Sequence, residues 1–175
     1  MGLAQSSSDK SGTSAIRVLV TGGNSGIGFA LCRQLAADHG CHVYLGSRSV
    51  DKGQKAVAAI KSAHPGVKVE MIQIDVSSDE SVKAAAAKIK ATGMPLYALV
   101  NNAGTGFTHP GVTAKDVLNV NLMGPKRMCE AFLPLLDQRI GRVVNVGSGA
   151  GPMYVYVCIC EHMCVYGKGR VLNEV

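Results

Sequence analysis

Tryptophan is absent from this sequence, and aromatic residues together make up only 5% of it. The 18 lysines and arginines therefore lack the interleaved rings on which bases stack, and they are scattered along predicted helices instead of clustered. The formal charge of +6 describes a solvated surface that attracts anionic cofactors, and no nucleic-acid partner is expected. No apolar run approaches the ~20 residues that cross a bilayer, so no membrane span is expected. A secretory signal is also lacking, because the Ser-rich stretch from Met1 to Ser14 has no apolar core. Without such a signal, Cys32, Cys41 and Cys129 read as reduced core thiols of a cytoplasmic protein. Cys158, Cys160, His162 and Cys164 fit no standard zinc spacing, and no metal is expected. Gly2-Leu3-Ala4-Gln5-Ser6 matches the N-myristoylation pattern. A single acyl chain with only Lys10 nearby anchors marginally, so stable attachment through Gly2 is not expected.

What is present is a core-forming chain of 175 residues, 47% hydrophobic, enough for one domain. Its organising stretch is Thr21-Gly22-Gly23-Asn24-Ser25-Gly26-Ile27-Gly28. Ile16 to Val20, just before it, reads as a buried strand. Phe29, Ala30, Leu31, Leu35 and Ala36, just after it, recur at helical spacing. The glycines thus fall in a strand-to-helix turn. There Gly22 relieves the backbone, Gly26 admits a phosphate and Gly28 permits close helix packing. A helix N-terminus offers free N–H groups and a positive dipole end, which suits a nucleotide pyrophosphate. Read alone, a glycine triplet is also a tight turn that binds nothing.

Residues 1–15 read as a flexible leader, 16–152 as the folded domain and 153–175 as an atypical tail. Within the domain, further strands are expected at Cys41–Leu45, Val67–Ile74, Leu96–Val100 and Arg142–Val146. Helices are expected from Val50 to Ala63, from Ser78 to about Ala91, and from Thr113 to Leu136 with a bend near Pro125. Alternating strands and helices predict an α/β fold with a doubly wound parallel sheet of about five strands. Ligands of such sheets bind beyond the carboxyl ends of the strands, where Arg48, Asp75, Asn101 and Ser148 fall.

Five pieces occur in one order: Thr21 to Gly28, Asp75-Val76, Asn101-Asn102-Ala103-Gly104, Asn121 in Val-Asn-Leu-Met-Gly, and Ser148 in Arg-Val-Val-Asn-Val-Gly-Ser-Gly. From about Ile16 to Pro152 the chain resembles the short-chain dehydrogenase/reductase family, closest to its NADP-dependent carbonyl-reductase branch. The resemblance implies a Rossmann-type fold with strand order 3-2-1-4-5, lacking the family's last strands and helices, and an oxidoreductase that interconverts a carbonyl and an alcohol on a small-molecule substrate. Gly22, Asn24, Ser25, Gly26, Ile27 and Gly28 would hold the cofactor at the glycine turn. Asp75 and Val76 would contact adenine, while Asn101, Ala103 and Gly104 would line the adenosine ribose. Ser148 would hydrogen-bond the substrate carbonyl, and Asn121 would hold a water in the proton relay.

Charge decides the expected cofactor. An NAD site places a carboxylate about 20 residues past the glycines. Here that region reads Gly46-Ser47-Arg48, with no acid until Asp51. A guanidinium suits a ribose 2′-phosphate, so NADP(H) is expected. Ser25 stands where relatives often carry a second basic residue, which weakens the preference.

The family's Tyr-x-x-x-Lys pair is missing after Ser148, where Tyr166-Gly167-Lys168-Gly169-Arg170 comes nearest. Lys168 is only two residues on, Arg170 has the spacing but a guanidinium in place of an ammonium, and the two glycines disfavour the helix. Val155 to Cys160 resembles a translated GT/AT repeat, and the expectation is a truncated or mis-spliced chain, catalytically incomplete. A non-catalytic NADP-binding or partner-binding protein, or a non-functional product, remains the alternative. An open sheet edge would promote self-association.

Overall fold

The computed structural model describes residues 16–106 and 110–147. The expectations for the leader with Gly2, for Ser148 and for the 153–175 tail, Tyr166 and Arg170 included, lie outside the described residues.

Five parallel strands alternate with helices. They are β1 (Arg17–Val20), α1 (Gly26–Ala37), β2 (His42–Ser47), α2 (Val50–Ala63), β3 (Val69–Gln73), α3 (Asp79–Lys90), β4 (Ala98–Asn101), α4 (Ala114–Asn121), α5 (Met123–Phe132), a 3-10 turn (Leu133–Leu135) and β5 (Arg142–Asn145). The sheet order is β3-β2-β1-β4-β5, the order expected of a Rossmann-type sheet.

Side-chain alternation along the strands divides the core into two layers. Leu19, Tyr44, Ile72 and Leu99 pack with Val82, Ala85 and Ile89 of α3 and with Met128 and Phe132 of α5. Val18, Val20, Val43, Leu45, Val69 and Val100 pack on the other face with Cys32 and Ala36 of α1 and Ala56 and Ile60 of α2. Burial on both faces is why the central strands read as nearly continuous apolar runs.

Local chemistry starts the helices where the sequence signals them. The Ser49 hydroxyl accepts from the Lys52 N–H (3.3 Å) and that of Ser78 from the Ser81 N–H (3.2 Å). Thr113 and Asp116 form a reciprocal capping box on α4.

β3 and β4 each begin two residues later than expected, and two elements differ in a way that bears on the site. The single helix from Thr113 to Leu136 is instead α4, α5 and the 3-10 turn, and the break falls at Leu122 (φ −112°, ψ −59°), not at Pro125. Pro125 has no N–H to give the Asn121 carbonyl and its ring crowds that oxygen, so the distortion appears upstream of the proline. The second strand runs to Ser47, two residues past its expected end. It can do so because Gly46, without a side chain, lies against Val20 and Thr21 at the end of β1; a Cβ there would come within 2.9 Å of the Val20 carbonyl oxygen.

β5 lies at the sheet edge with Arg142, Val144 and Asn145 exposed, and no strand pairs with its outer side among the described residues. Among the described residues no helix is long and apolar enough to cross a membrane, and no group of three metal-ligating side chains forms.

Candidate functional site

β1 and β4 are neighbours, but the chain leaves β1 toward β2 on one side and β4 toward β5 on the other. The divergence opens a crevice beyond their carboxyl ends, the usual ligand position in such sheets. The turn from Thr21 to Ser25 forms one wall. Gly22 has φ 65°, where a side chain is strained, and a Cβ on Gly28 would lie 2.4 Å from both the Gly22 carbonyl oxygen and Asn102 Nδ2. The glycines therefore let α1 start directly against the turn.

Two residues outside the expected site hold this wall in place. The buried Thr21 hydroxyl donates to the Val100 carbonyl (3.3 Å) and accepts from the N–H groups of Asn102 and Ala103 (3.0 Å each). Asn102 Nδ2 donates to the Thr21 carbonyl (2.8 Å). A readable signal existed for both, since a polar residue ending a buried strand needs partners.

The N-terminus of α1 is unlike those of α2, α3 and α4. Ser25 is extended (φ −159°, ψ 166°) and makes no capping bond, and the first turn carries no acid. Those three helices begin with a side-chain cap and with Asp51, with Asp79 and Glu80, or with Asp116, whereas α5, which follows α4 directly at Leu122, also lacks a cap and an acid. The first helical bond of α1 runs from the Phe29 N–H to the Ser25 carbonyl (3.1 Å), leaving the N–H groups of Gly26, Ile27 and Gly28 without intrahelical acceptors. A Cβ on Gly26 would meet nothing within 4 Å, and Ile27 is 70% exposed. Asn24, whose amide approaches the Ser25 hydroxyl (3.5 Å), completes the turn.

The glycine turn is tied to β2 by a bond from the Gly23 N–H to the Gly46 carbonyl (2.9 Å). Arg48 follows two residues later, exposed and with no ion-pair partner among the described residues. The nearby Asp51 pairs with Lys55 instead (2.9 Å).

At the end of β3, Asp75 is half-buried. Its Oδ1 accepts from the Ser77 N–H (2.9 Å) and hydroxyl (2.6 Å), leaving Oδ2 without a partner among the described residues. Val76 is buried against Gly124 of α5, where a Cβ would come within 3.0 Å of it.

The side chains of the two remaining expected asparagines are engaged within the protein. Asn101 is 5% exposed; its Nδ2 donates to Asn145 Oδ1 (2.9 Å) and approaches Cys129 Sγ (3.7 Å). Burial pushes the Cys129 thiol up, against the opposing hydrogen bond from Asn101. Asn121 spends both ends of its amide on Thr105, accepting from its N–H and donating to its carbonyl at 2.8 Å. Its side chain is therefore committed. The Asn121 backbone carbonyl, facing a proline four residues on, is the group left for another donor.

Comparison with known proteins matches this geometry to a family. A family model described as short chain dehydrogenase matches residues 17–167. (+)-Neomenthol dehydrogenase of Arabidopsis thaliana is 35% identical over 161 residues, covering 77% of this chain and 54% of the relative. Carbonyl reductase (NADPH) 1 of Sus scrofa is 34% identical, covering 89% and 55%. A crystal structure of a metagenomic short-chain oxidoreductase in complex with NADP superposes with a TM-score of 0.68 at 31% identity, covering 78% of this chain and 63% of that one. The chain spans about half the length of the curated relatives it matches. Fold, ordered motifs and sequence relatives agree, and the chain belongs to the short-chain dehydrogenase family of oxidoreductases.

Proposed function

We propose that this chain binds NADP(H) across the ends of β1, β2, β3 and β4, and that its family chemistry is the interconversion of a carbonyl and an alcohol. The observation that carries the reading is the first turn of α1: uncapped, free of acid, open at Gly26, and at the same carboxyl edge of the sheet as Arg48, which has no ion-pair partner among the described residues. Such a turn stabilises an anion through N–H groups and the helix dipole.

The residues present fit the cofactor. Gly26, Ile27 and Gly28 offer N–H groups to the pyrophosphate, and Asn24 and Ser25 add polar side chains beside them. The Arg48 guanidinium suits a 2′-phosphate, since it forms paired, charge-assisted bonds. Asp75 keeps Oδ2 for the adenine amine, and buried Val76 supplies the apolar wall. When bound, the cofactor supplies or accepts a hydride. The chain's own share is to orient it and to manage the substrate oxygen. Ser148 would donate to that oxygen, and the Asn121 carbonyl at the helix break would hold a relay water.

A second reading, cofactor binding without turnover, is favoured by one observation: no Tyr-x-x-x-Lys follows Ser148 in the sequence. Calorimetric titration with NADPH and NADH tests the binding step. Saturable binding, tighter for NADPH, is expected; no binding of either overturns the proposal.

A further inference from the structure

Arg127 of α5 is the sole side chain that joins the β3–α3 segment to both helices of the α4–α5 pair among the described residues. Its Nε pairs with Asp79 at the first position of α3, and its Nη1 donates to the Val76 carbonyl (3.4 Å). The same fork reaches back to α4, with Nη1 donating to the Asn119 carbonyl (3.2 Å) and Nη2 to Asn119 Oδ1 (2.8 Å). The Arg127 side chain is 19% exposed, so its bonds to Val76 and Asn119 are partly shielded from water, while its partner Asp79 is exposed.

We infer that Arg127 is a positioning residue for the adenosine end of the cofactor site, setting Asp75 and Val76 relative to α4 and its Asn121. The inference rests on the NADP(H) reading above. The segment is stapled internally, Asp75 to Ser77 and the Asp75 N–H to Ser81 Oγ (2.9 Å). Those bonds hold its shape but not its place. Its outward ties are the Ile74 N–H to the Ser47 carbonyl (3.0 Å), the packing of Val76 on Gly124, and Arg127. A planar guanidinium can satisfy acceptors on three elements at once, whereas an ammonium cannot hold the same fork. Because Asn119 precedes Asn121 by two residues, the same side chain fixes the end of α4. Arg127 thereby links the adenosine wall to the helix break.

The test compares Arg127→Met, Arg127→Lys and Lys126→Met in the full chain. Lys126→Met removes the same charge from a residue paired only with Glu130 on its own helix (3.2 Å). Two probes are titrated: 2′,5′-ADP for the adenosine end, and reduced nicotinamide mononucleotide for the other. Arg127→Met is expected to weaken 2′,5′-ADP about tenfold, within the range of ordinary coupling between linked sites. Nicotinamide mononucleotide should bind unchanged, Arg127→Lys should recover only part of the loss, and Lys126→Met should bind as wild type. Equal losses of both probes, or equal effects of the Arg127 and Lys126 changes, overturn the inference. Hydrogen exchange of residues 75–81 in the ligand-free proteins gives an independent reading. If wild type binds neither probe, the cofactor proposal fails, and unchanged exchange in Arg127→Lys then overturns the positioning role as well. Faster exchange confined to that segment supports the role. If Arg127→Met does not fold, Arg127→Lys decides by the same two measurements.

Discussion

Thr21 and Asn102 hold each other twice: the Asn102 side chain donates to the Thr21 carbonyl at 2.8 Å, and the Thr21 hydroxyl accepts from the Asn102 N–H at 3.0 Å. The glycine turn and the end of β4 are therefore one unit, although 81 residues separate them in the chain. The pair ties the two walls of the crevice together, and with Asn102 held where it is only a glycine fits at position 28.

Thr21→Val is expected to destabilise the fold by about 2 kcal/mol, because the methyl leaves two backbone N–H groups without their acceptor in a buried site. It should also weaken NADPH binding by loosening the turn. Urea denaturation and titration of the same sample check both effects. A variant as stable as wild type would show that the latch carries no weight.

Arg48→Asp is expected to reverse cofactor preference. A charge-assisted bond to a phosphate is worth about 1.5–3 kcal/mol, or roughly 10- to 100-fold in affinity. With Ser25 where relatives often carry a second base, the lower end applies. The substituted carboxylate repels the 2′-phosphate and accepts from ribose hydroxyls instead. Equal affinities for NADPH and NADH in wild type, or an unchanged ratio in the variant, remove Arg48 from the site.

Cys32 is fully buried and its thiol is pushed up to about 12 from an ordinary 9.0 by burial; Cys41 and Cys129 move the same way. All three should resist alkylation at pH 8 in the folded protein and react once it unfolds, read by mass spectrometry of their peptides. The linkage has a definite sign. A folded value above the unfolded one means the native state holds its proton longer, so the stabilisation is complete below about pH 9 and is lost as pH rises toward 12. A denaturation midpoint flat across that range would contradict it.

The parallel order and the two-faced burial were legible because strands and helices alternate with strong patterning, and Ser49, Ser78 and Thr113 announce their helices. The α4–α5 break was displaced from its expected place because proline acts on the preceding turn, which composition alone does not locate. At the site, glycines and Arg48 were readable from local chemistry. For Thr21 and Asn102 the sequence shows only that a polar residue ending a buried strand needs partners, not which ones, and Arg127 carries no such signal, since each acts on residues distant in sequence. The partners of the Asn101 and Asn121 amides, Asn145 and Thr105, lie 44 and 16 residues away in the chain, and no local pattern points to them.

β5 predicts association. Its outer edge is unpaired among the described residues, and Val144 and Val146 are 46% and 40% exposed. Such an edge is a template for another strand. Analytical ultracentrifugation at tens of micromolar (roughly the range in which exposed edges aggregate) should show self-association, reduced by Val144→Lys. A clean monomer would refute it.

The 175-residue chain is expected to bind NADPH without reducing carbonyls at a rate ordinary for an enzyme. Hydride delivery leaves negative charge on the substrate oxygen, and a proton must follow. The Ser148 hydroxyl can donate a hydrogen bond to that oxygen, but it is a poor acid without a tuned partner. General acid catalysis contributes about 10²- to 10⁴-fold, and no Tyr-x-x-x-Lys follows Ser148 to provide it. Tyr166 with Arg170 has the spacing of the pair, but two intervening glycines disfavour the helix by about 1 kcal/mol each. The measurement is NADPH oxidation with a panel of quinones, aldehydes and ketones, beside Ser148→Ala and Tyr166→Phe. Turnover well below 1 per second (the low end of ordinary enzyme rates), with neither substitution reducing it further, is the expected result. Turnover above that limit, abolished in both variants, would overturn the prediction and assign the acid to Tyr166.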